Sequence, residues 1–449
     1  MSRKLRVLVS TICLSFAVVS ILISATYLSG SSSSREFVKS WAGKLSPSLN
    51  SPSSNSTAPQ DASGKPDNGL VPVLREGNAT LLEMAPAYIK SIMTPEDNTI
   101  PRMECPATEG KRYDYLKAKS EKPFFRAVRP KYFFAIDLHQ CIDLLPRLIS
   151  SAVEAMRFLG PENCALSIVE GRSTDGTFEI LKLLRAEIET MGASYYFNSS
   201  DLNPTSGARI EILAQLRNLA VQPLMAQPEK YDASTTVIFL NDVAICKEDI
   251  LELIHQRLHQ SADMVCAMDW TYVGEHPTFY DVWIARDMAG DTFFSIPPDG
   301  NWDSAWNLFW NNTLARERFF EHKPFQVFAC WNGATAFTAK PLLELAMGFR
   351  GPKQKECFQG EPEIFCKELW KAGYGKIAVV PSVNLEYSNE RGKDIKALKG
   401  YASQWVAKDG DDPKDTASKI QWVKDPPKLV KCMPNYQEQT WVPWDQSLA

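Results

Sequence analysis

Apolar residues in this chain recur with two different periods, and the alternation between them predicts the fold. Residues 132–138 (YFFAIDL) and 164–169 (CALSIV) are short continuous apolar runs, the pattern of strands buried on both faces. Between them, residues 141–159 place Leu144, Leu145, Leu148, Ile149, Val153, Met156 and Leu159 at helical spacing. Residues 178–191 predict a second helix, 193–198 a third strand, and 208–220 a helix carrying Arg209 and Arg217. Strand and helix in close alternation predict a parallel sheet, because each crossover must return the chain to the same edge. The next run, 237–249 (VIFLNDVAICKED), is the stretch around which the rest is arranged: a buried strand that stops at Asn241 and Asp242 and leads into a helix.

The second half is less regular. Residues 262–270 predict a strand, 280–291 interleave acids with aromatics, and 324–339 predict a strand pair around Asn332 and Gly333. A helix over 361–372 stops at Gly373, and 377–383 form a last strand. Upstream, residues 74–93 carry helix-like spacing before Pro95, Pro101 and Pro106 interrupt it.

The N-terminus adds a compartment. Arg3, Lys4 and Arg6 precede an uncharged apolar run long enough to cross a bilayer and longer than a signal-peptide core, so the expected layout is a cytoplasmic tail over 1–6 and a membrane anchor over 7–29. A Ser- and Pro-rich stem follows over 30–71, then an irregular lead-in over 72–130, a catalytic domain over 131–390, and an extension over 391–449 that wraps it. Sequons at Asn55, Asn78, Asn198 and Asn311 are candidate glycosylation sites in that lumenal setting. Ten cysteines suit disulfides there; Cys13 lies in the apolar run, so the other nine leave at least one thiol free or bridging two chains.

Of 449 residues, 44% are hydrophobic and 23% charged, which sustains a globular core, and a formal charge of -4 offers no broad cationic field for nucleic acid. Phosphate recognition must therefore be local. The turn 170–177 (EGRSTDGT) joins a strand to a helix and aims backbone amides at a ligand, with Ser173, Thr174 and Asp175 as caps. Its Gly171-Arg172-Ser173 start is that of a nucleophile elbow, but Asp175 replaces the second glycine and no C-terminal histidine follows. Asp242, at a strand tip, suits Mg²⁺ or Mn²⁺, which bind through one or two protein carboxylates and the substrate's phosphates. Arg209 and Arg217, eight residues apart, share one helix face and offer cations to phosphate oxygens. Asp269, Asp281, Asp287, Glu361 and Glu363, with Trp270, Trp283, Trp302, Trp306 and Trp331, combine carboxylates with flat aromatic faces, which suits a sugar. Asp249 reads as a helix-surface charge.

In order along residues 131–387, GRSTDGTFEIL, RNLA, FLNDVAIC, YDVWIARD, CWNGATAFTAKPL, GEPEIFCKELW and VVPSV resemble the fungal α-1,3-mannosyltransferases related to the cryptococcal capsule-associated proteins, glycosyltransferase family 69. The resemblance implies an α/β GT-A-like fold and a single-pass type II Golgi enzyme that moves mannose from GDP-mannose, with Mn²⁺ or Mg²⁺, to a mannose-containing glycan. It places Glu170, Arg172 and Asp175 at the nucleotide, with Arg209 and Arg217 as further candidates, and Asp242 at the metal. Glu361, Glu363 and Asp281 stand as candidate catalytic carboxylates, and Asp269, Trp270, Trp331 and Asn332 as acceptor-binding residues. Asn241-Asp242-Val243 replaces the usual Asp-x-Asp and no late histidine is present, although Glu386 and Tyr387 lie within reach of such a site. An α product from an α-linked donor requires retention, through a carboxylate nucleophile or by front-side attack. The alternative for such a chain is a non-catalytic relative that binds polysaccharide or scaffolds its synthesis and export.

Overall fold

A computed structural model of the protein describes residues 75–108, 110–117, 129–409 and 418–448. The expected tail, anchor and stem and the Asn55 sequon lie outside those residues. Among the described residues no helix is long and apolar enough to cross a membrane.

The predicted alternation is present with small shifts in its ends. Strand β1 (Tyr132–Leu138), helix α2 (Leu145–Leu159), β2 (Cys164–Gly171), α3 (Thr177–Met191), β3 (Ser194–Ser200), α4 (Arg209–Ala226), β4 (Thr236–Leu240) and α5 (Lys247–His259) follow in order. Helix α4 runs six residues past the predicted end and contains Pro223. The second half supplies β5 (Met264–Val273), β6 (His276–Phe279), β7 (Arg286–Asp287), α6 (Thr313–Phe320), β8 (Phe325–Ala329), β9 (Ala334–Thr338), α7 (Lys340–Leu345), α8 (Glu361–Lys371) and β10 (Ile377–Leu385). Helix α1 (Ala79–Met93) precedes them, and α9 (Asn389–Lys399), α10 (Ala402–Asp409), β11 (Leu429–Cys432) and β12 (Thr440–Pro443) follow.

The sheet has ten strands, ordered β3-β2-β1-β4-β9-β5-β10-β8-β7, with β6 paired to β5. It is mixed, not parallel throughout: β3, β2, β1 and β4 run parallel, and β9 enters antiparallel between β4 and β5. The two strands expected as a pair over 324–339 do not pair with each other. Instead β9 lies between β4 and β5 and β8 beyond β10, so the turn around Asn332 and Gly333 crosses the middle of the sheet.

The continuous apolar runs follow from helices on both faces. Along β1, Phe134, Ile136 and Leu138 join one core with α2, α3 and α5, while Phe133 and Ala135 face the other with α4. By the same alternation Asp137 falls on the α4 side, beyond the last apolar layer.

The cysteine arithmetic resolves within one chain. Cys105–Cys246, Cys266–Cys330 and Cys357–Cys432 are disulfides, and Cys141, Cys164 and Cys366 are buried free thiols. The first bridge ties the lead-in to the start of α5, where Arg112 also pairs with Glu252 at 3.0 Å and Tyr113 donates to the same carboxylate at 2.9 Å. It spans 141 residues. Replacing Cys105 and Cys246 with serine is expected to lower unfolding free energy by about 2–4 kcal/mol, read as a lower denaturant midpoint.

One reading at the strand exit needs correction. Asp249 is not a surface charge: it is buried, accepts the Cys246 amide at 2.8 Å, and takes Lys396 Nζ at 2.6 Å on each oxygen. A capping acid three residues into α5 gained a lysine from α9, a partner 147 positions away that local patterning does not reveal.

Candidate active site

The carboxyl end of β4 meets the Trp331-Asn332-Gly333 turn, next to β1 where the strand order reverses, the place at which open α/β sheets form ligand crevices. Asn241 is the joint. Its amide donates to Gly333 O at 2.9 Å, and its Oδ1 accepts Trp331 Nε1 at 3.0 Å and Arg217 Nη1 at 3.4 Å. Arg217 reaches from α4, donates to Glu361 Oε1 at 2.7 Å, and lies over the rings of Trp331 at 4.5 Å and Phe239 at 5.2 Å. Glu361 opens α8, with Gly360 at the N-cap position and Pro362 in the first turn.

Asn332 and Gly333 hold left-handed backbone, with φ of 55° and 78°. A Cβ on Gly333 would sit 3.0 Å from Val243 Cγ1, which together with the positive φ favours glycine there. The Asn332 amide donates to Asp281 Oδ2 at 2.9 Å and its side chain to Ala267 O at 2.8 Å. Tyr387 donates to Asp269 Oδ2 at 2.5 Å and packs edge-on against Tyr280 with ring centroids 5.0 Å apart.

The carboxylates outnumber the cations, and their protonation reflects it. Asp137 and Asp242 keep some solvent contact, yet protein surrounds them on most sides. Burial pushes Asp137 up to about 7; Asp242, Glu361 and Glu170 add like charge, and Arg217 opposes. Burial also raises Asp242 to about 6 against the pull of Arg217 and His139. Asp281 rises to about 6 through burial, opposed by the Asn332 amide and Arg217. Burial and the Asp281 charge hold Asp269 well above the usual carboxylate range, and one of its oxygens has no hydrogen-bond partner.

The remaining sequence candidates occupy distinct places. Glu170 is fully buried and organises its own turn, accepting the Ser173 amide at 2.5 Å and Ser199 Oγ at 2.8 Å. Asp175 stitches that turn to the β1–α2 loop, taking the Ile142 amide at 2.9 Å and the Thr177 amide at 3.0 Å. Arg172, with φ of 53°, donates to Asn203 at 2.8 Å and keeps a buried Nε without a partner. Arg209 is exposed at the start of α4 and forms no ion pair among the described residues. Neither tryptophan expected at the acceptor is open to it: Trp331 and Trp270 are each 1% exposed, Trp331 packed under Arg217 with its indole N–H on Asn241 and Trp270 with its own on Asn384 at 2.8 Å. Glu361 and Glu363 part company: Glu363 is fully buried behind the site, 3.6 Å from Arg286, and burial pushes it up to about 7 against that cation. Asn78 caps α1, Asn198 lies within β3, and Asn311 is exposed before α6. Glu386 directs an oxygen to the Ser388 amide and hydroxyl, at 2.7 and 3.0 Å.

Asp137 and His139 were not singled out in the sequence, although Asp137 is the penultimate residue of YFFAIDL. The His139 ring bonds Gly171 O, tying the ends of β1 and β2 together. The signal was available: an acid one residue before the end of a buried strand, in register with the strand carrying Asp242.

Residues 131–368 match the profile of the family described as Cryptococcal mannosyltransferase 1. The chain is 34% identical over 364 residues to Alpha-1,3-mannosyltransferase CMT1 of Cryptococcus neoformans var. neoformans serotype D, covering 75% of this chain and 76% of that protein. Among solved structures, the mannosyltransferase PcManGT from Pyrobaculum calidifontis in complex with GDP-Man and Mn²⁺ aligns at 13% identity and TM-score 0.35, over 71% of each chain. Residues 1–349 of S. aureus TarS align at 12% identity and TM-score 0.34, over 60% of this chain and 64% of that one.

Proposed function

The chain belongs to the Cryptococcal mannosyltransferase 1 family, and on that footing we propose that its site moves mannose from GDP-mannose onto a hydroxyl of a mannose-containing glycan, forming an α-1,3 bond on a GT-A-like scaffold. It is a glycosyltransferase of the mannosyltransferase class, and the donor, linkage and acceptor are the finer reading. The Golgi lumen, with a single N-terminal anchor, is the proposed location, and capsule or cell-wall glycan the proposed product.

The observation that carries this reading is the crowd of carboxylates, Asp137, Asp242, Glu361 and Asp281, around the Arg217 guanidinium. A nucleoside diphosphate cannot enter such a field unless a cation accompanies it. Among the described residues no three His, Cys, Asp or Glu side chains gather at metal-holding spacing. Mn²⁺ or Mg²⁺ with a diphosphate needs only one or two carboxylates, so the residues fit, and Asp242 with Asp137 would hold the ion. When bound, it neutralises charge on the departing diphosphate. Exposed Arg209 and the unpartnered Arg172 Nε are the protein's own cations toward the nucleotide.

The carboxylate geometry favours front-side attack. Glu361 is tied to Arg217, Glu363 is sealed behind the site, and Asp281 is held by the Asn332 amide with its acidity lowered by burial, so none of the three candidate carboxylates stands as a free, charged nucleophile. In that route the acceptor oxygen bonds to C1 of mannose as the bond from C1 to the phosphate oxygen breaks, and the proton passes to that phosphate oxygen as GDP leaves. Asp281 and Tyr387, on the far side of the Asn332-Gly333 turn, orient the acceptor hydroxyl.

Thermal shift across a panel of sugar nucleotides tests the donor. GDP-mannose with Mn²⁺ is expected to stabilise the protein by about 2.7 kcal/mol when free donor is about 100-fold above Kd, and chelation is expected to erase most of it. Equal stabilisation by uridine-linked sugars would remove guanosine from the reading.

A further inference from the structure

We propose that Asn311 carries an N-linked glycan whose first sugars cover an exposed aromatic patch made by Trp306, Trp310 and Leu314. Tryptophan is seldom left open to solvent, yet Trp306 is 78% exposed, Trp310 45% and Leu314 60%. Their exposure is built in. Phe309, between the two tryptophans, is fully buried against Phe293, Phe319 and Phe325, with ring centroids 4.6, 5.3 and 4.8 Å away. Its amide is also held by Phe293 O at 2.6 Å. Arg316 of α6 bonds Asn307 Oδ1 and reaches Leu308 O at 3.5 Å, folding the turn back onto the helix. The anchored backbone presents both indoles outward.

Asn311-Asn312-Thr313 lies inside this patch. Asn311 and Thr313 are exposed, and Asn311 Nδ2 has one long contact, 3.4 Å to Asp291 Oδ2. Asn312 caps α6 through the Ala315 amide at 3.1 Å, so the turn is held without help from Asn311. The other described sequons differ: Asn198 is half-buried within β3 and its Ser200 is buried, and Asn78, though exposed, has its side-chain carbonyl committed to capping α1. Three disulfides place the chain in an oxidising compartment, where a lipid-linked oligosaccharide diphosphate is the glycan donor. In the transfer Nδ2 loses a proton and bonds to the sugar C1, as the bond from C1 to the lipid diphosphate breaks and the diphosphate departs. Pyranose C–H faces then lie on the indoles.

The test uses the full chain made in a eukaryotic secretory host. Enzymatic deglycosylation in ¹⁸O water with peptide mass mapping should show Asn311 occupied, and stripping the folded protein should raise hydrophobic-dye fluorescence and aggregation several-fold. Asn311→Gln should reproduce this with turnover unchanged, and adding Trp306→Ser and Trp310→Ser should return dye binding to its starting level. If Asn311→Gln fails to fold, the enzymatic stripping still decides. An unmodified Asn311, or stripping without effect on dye binding, overturns the inference. So does a bare Asn311 with Trp306→Ser/Trp310→Ser raising KM for a polymeric mannan, which would make the patch an acceptor platform instead.

Discussion

Replacing Asp242 with asparagine is expected to lower mannosyl transfer by about 10²–10³-fold, the scale of losing one charged group that acts on the departing anion. The melting temperature is expected to hold or to rise. Asp242 is pushed up to about 6 by burial, and its charge in turn raises Asp137. A neutral amide relieves that repulsion and takes no hydrogen bond from the core, so stability and activity should move apart, as they do where a site holds like charges together for function. Turnover and thermal melting on the same preparation read both. Unchanged transfer removes Asp242 from the metal edge, and a large fall in melting temperature makes it a structural residue.

Arg217→Ala should damage both properties. The Arg217–Glu361 pair is nearly sealed, with 12% and 4% of the two side chains exposed. Removing one partner of a buried pair costs about 3–5 kcal/mol, mostly because the other charge is left uncompensated. The Trp331 and Phe239 rings also lose the guanidinium stacked on them. Arg217→Lys keeps the charge but loses the planar fork that serves Glu361 and Asn241 together, so only partial recovery is expected. Adding Glu361→Gln to Arg217→Ala should restore much of the stability and none of the turnover. A denaturant-midpoint loss below about 1 kcal/mol for Arg217→Ala would mean the pair behaves as an ordinary surface ion pair.

Much of this site was legible along the chain because its first half is local. Buried strands announced themselves as continuous apolar runs, and Asp242 as the acid where one of them ends. Arg217 was visible as a cation on the helix preceding that strand, but its hold on Glu361 was not, since 144 positions separate them. The antiparallel insertion of β9 between β4 and β5 escaped for a related reason: periodicity identifies strands and says nothing of their neighbours. Glu363 shows the limit most plainly. It stands two residues from Glu361 in the same helix turn, a rotation of about 200° at 3.6 residues per turn, and so faces Arg286 in the interior. Asp249 misled for the opposite reason, because a capping acid usually stays wet unless a distant element covers it.

The central claim is tested most directly by product structure. The purified chain is incubated with GDP-mannose, Mn²⁺ and an α-mannoside acceptor, and the disaccharide is resolved by NMR. The account predicts an α-1,3-linked product formed in step with GDP. A β-linked product, or GDP-mannose left intact across a panel of mannoside acceptors while another sugar nucleotide is consumed, would contradict it.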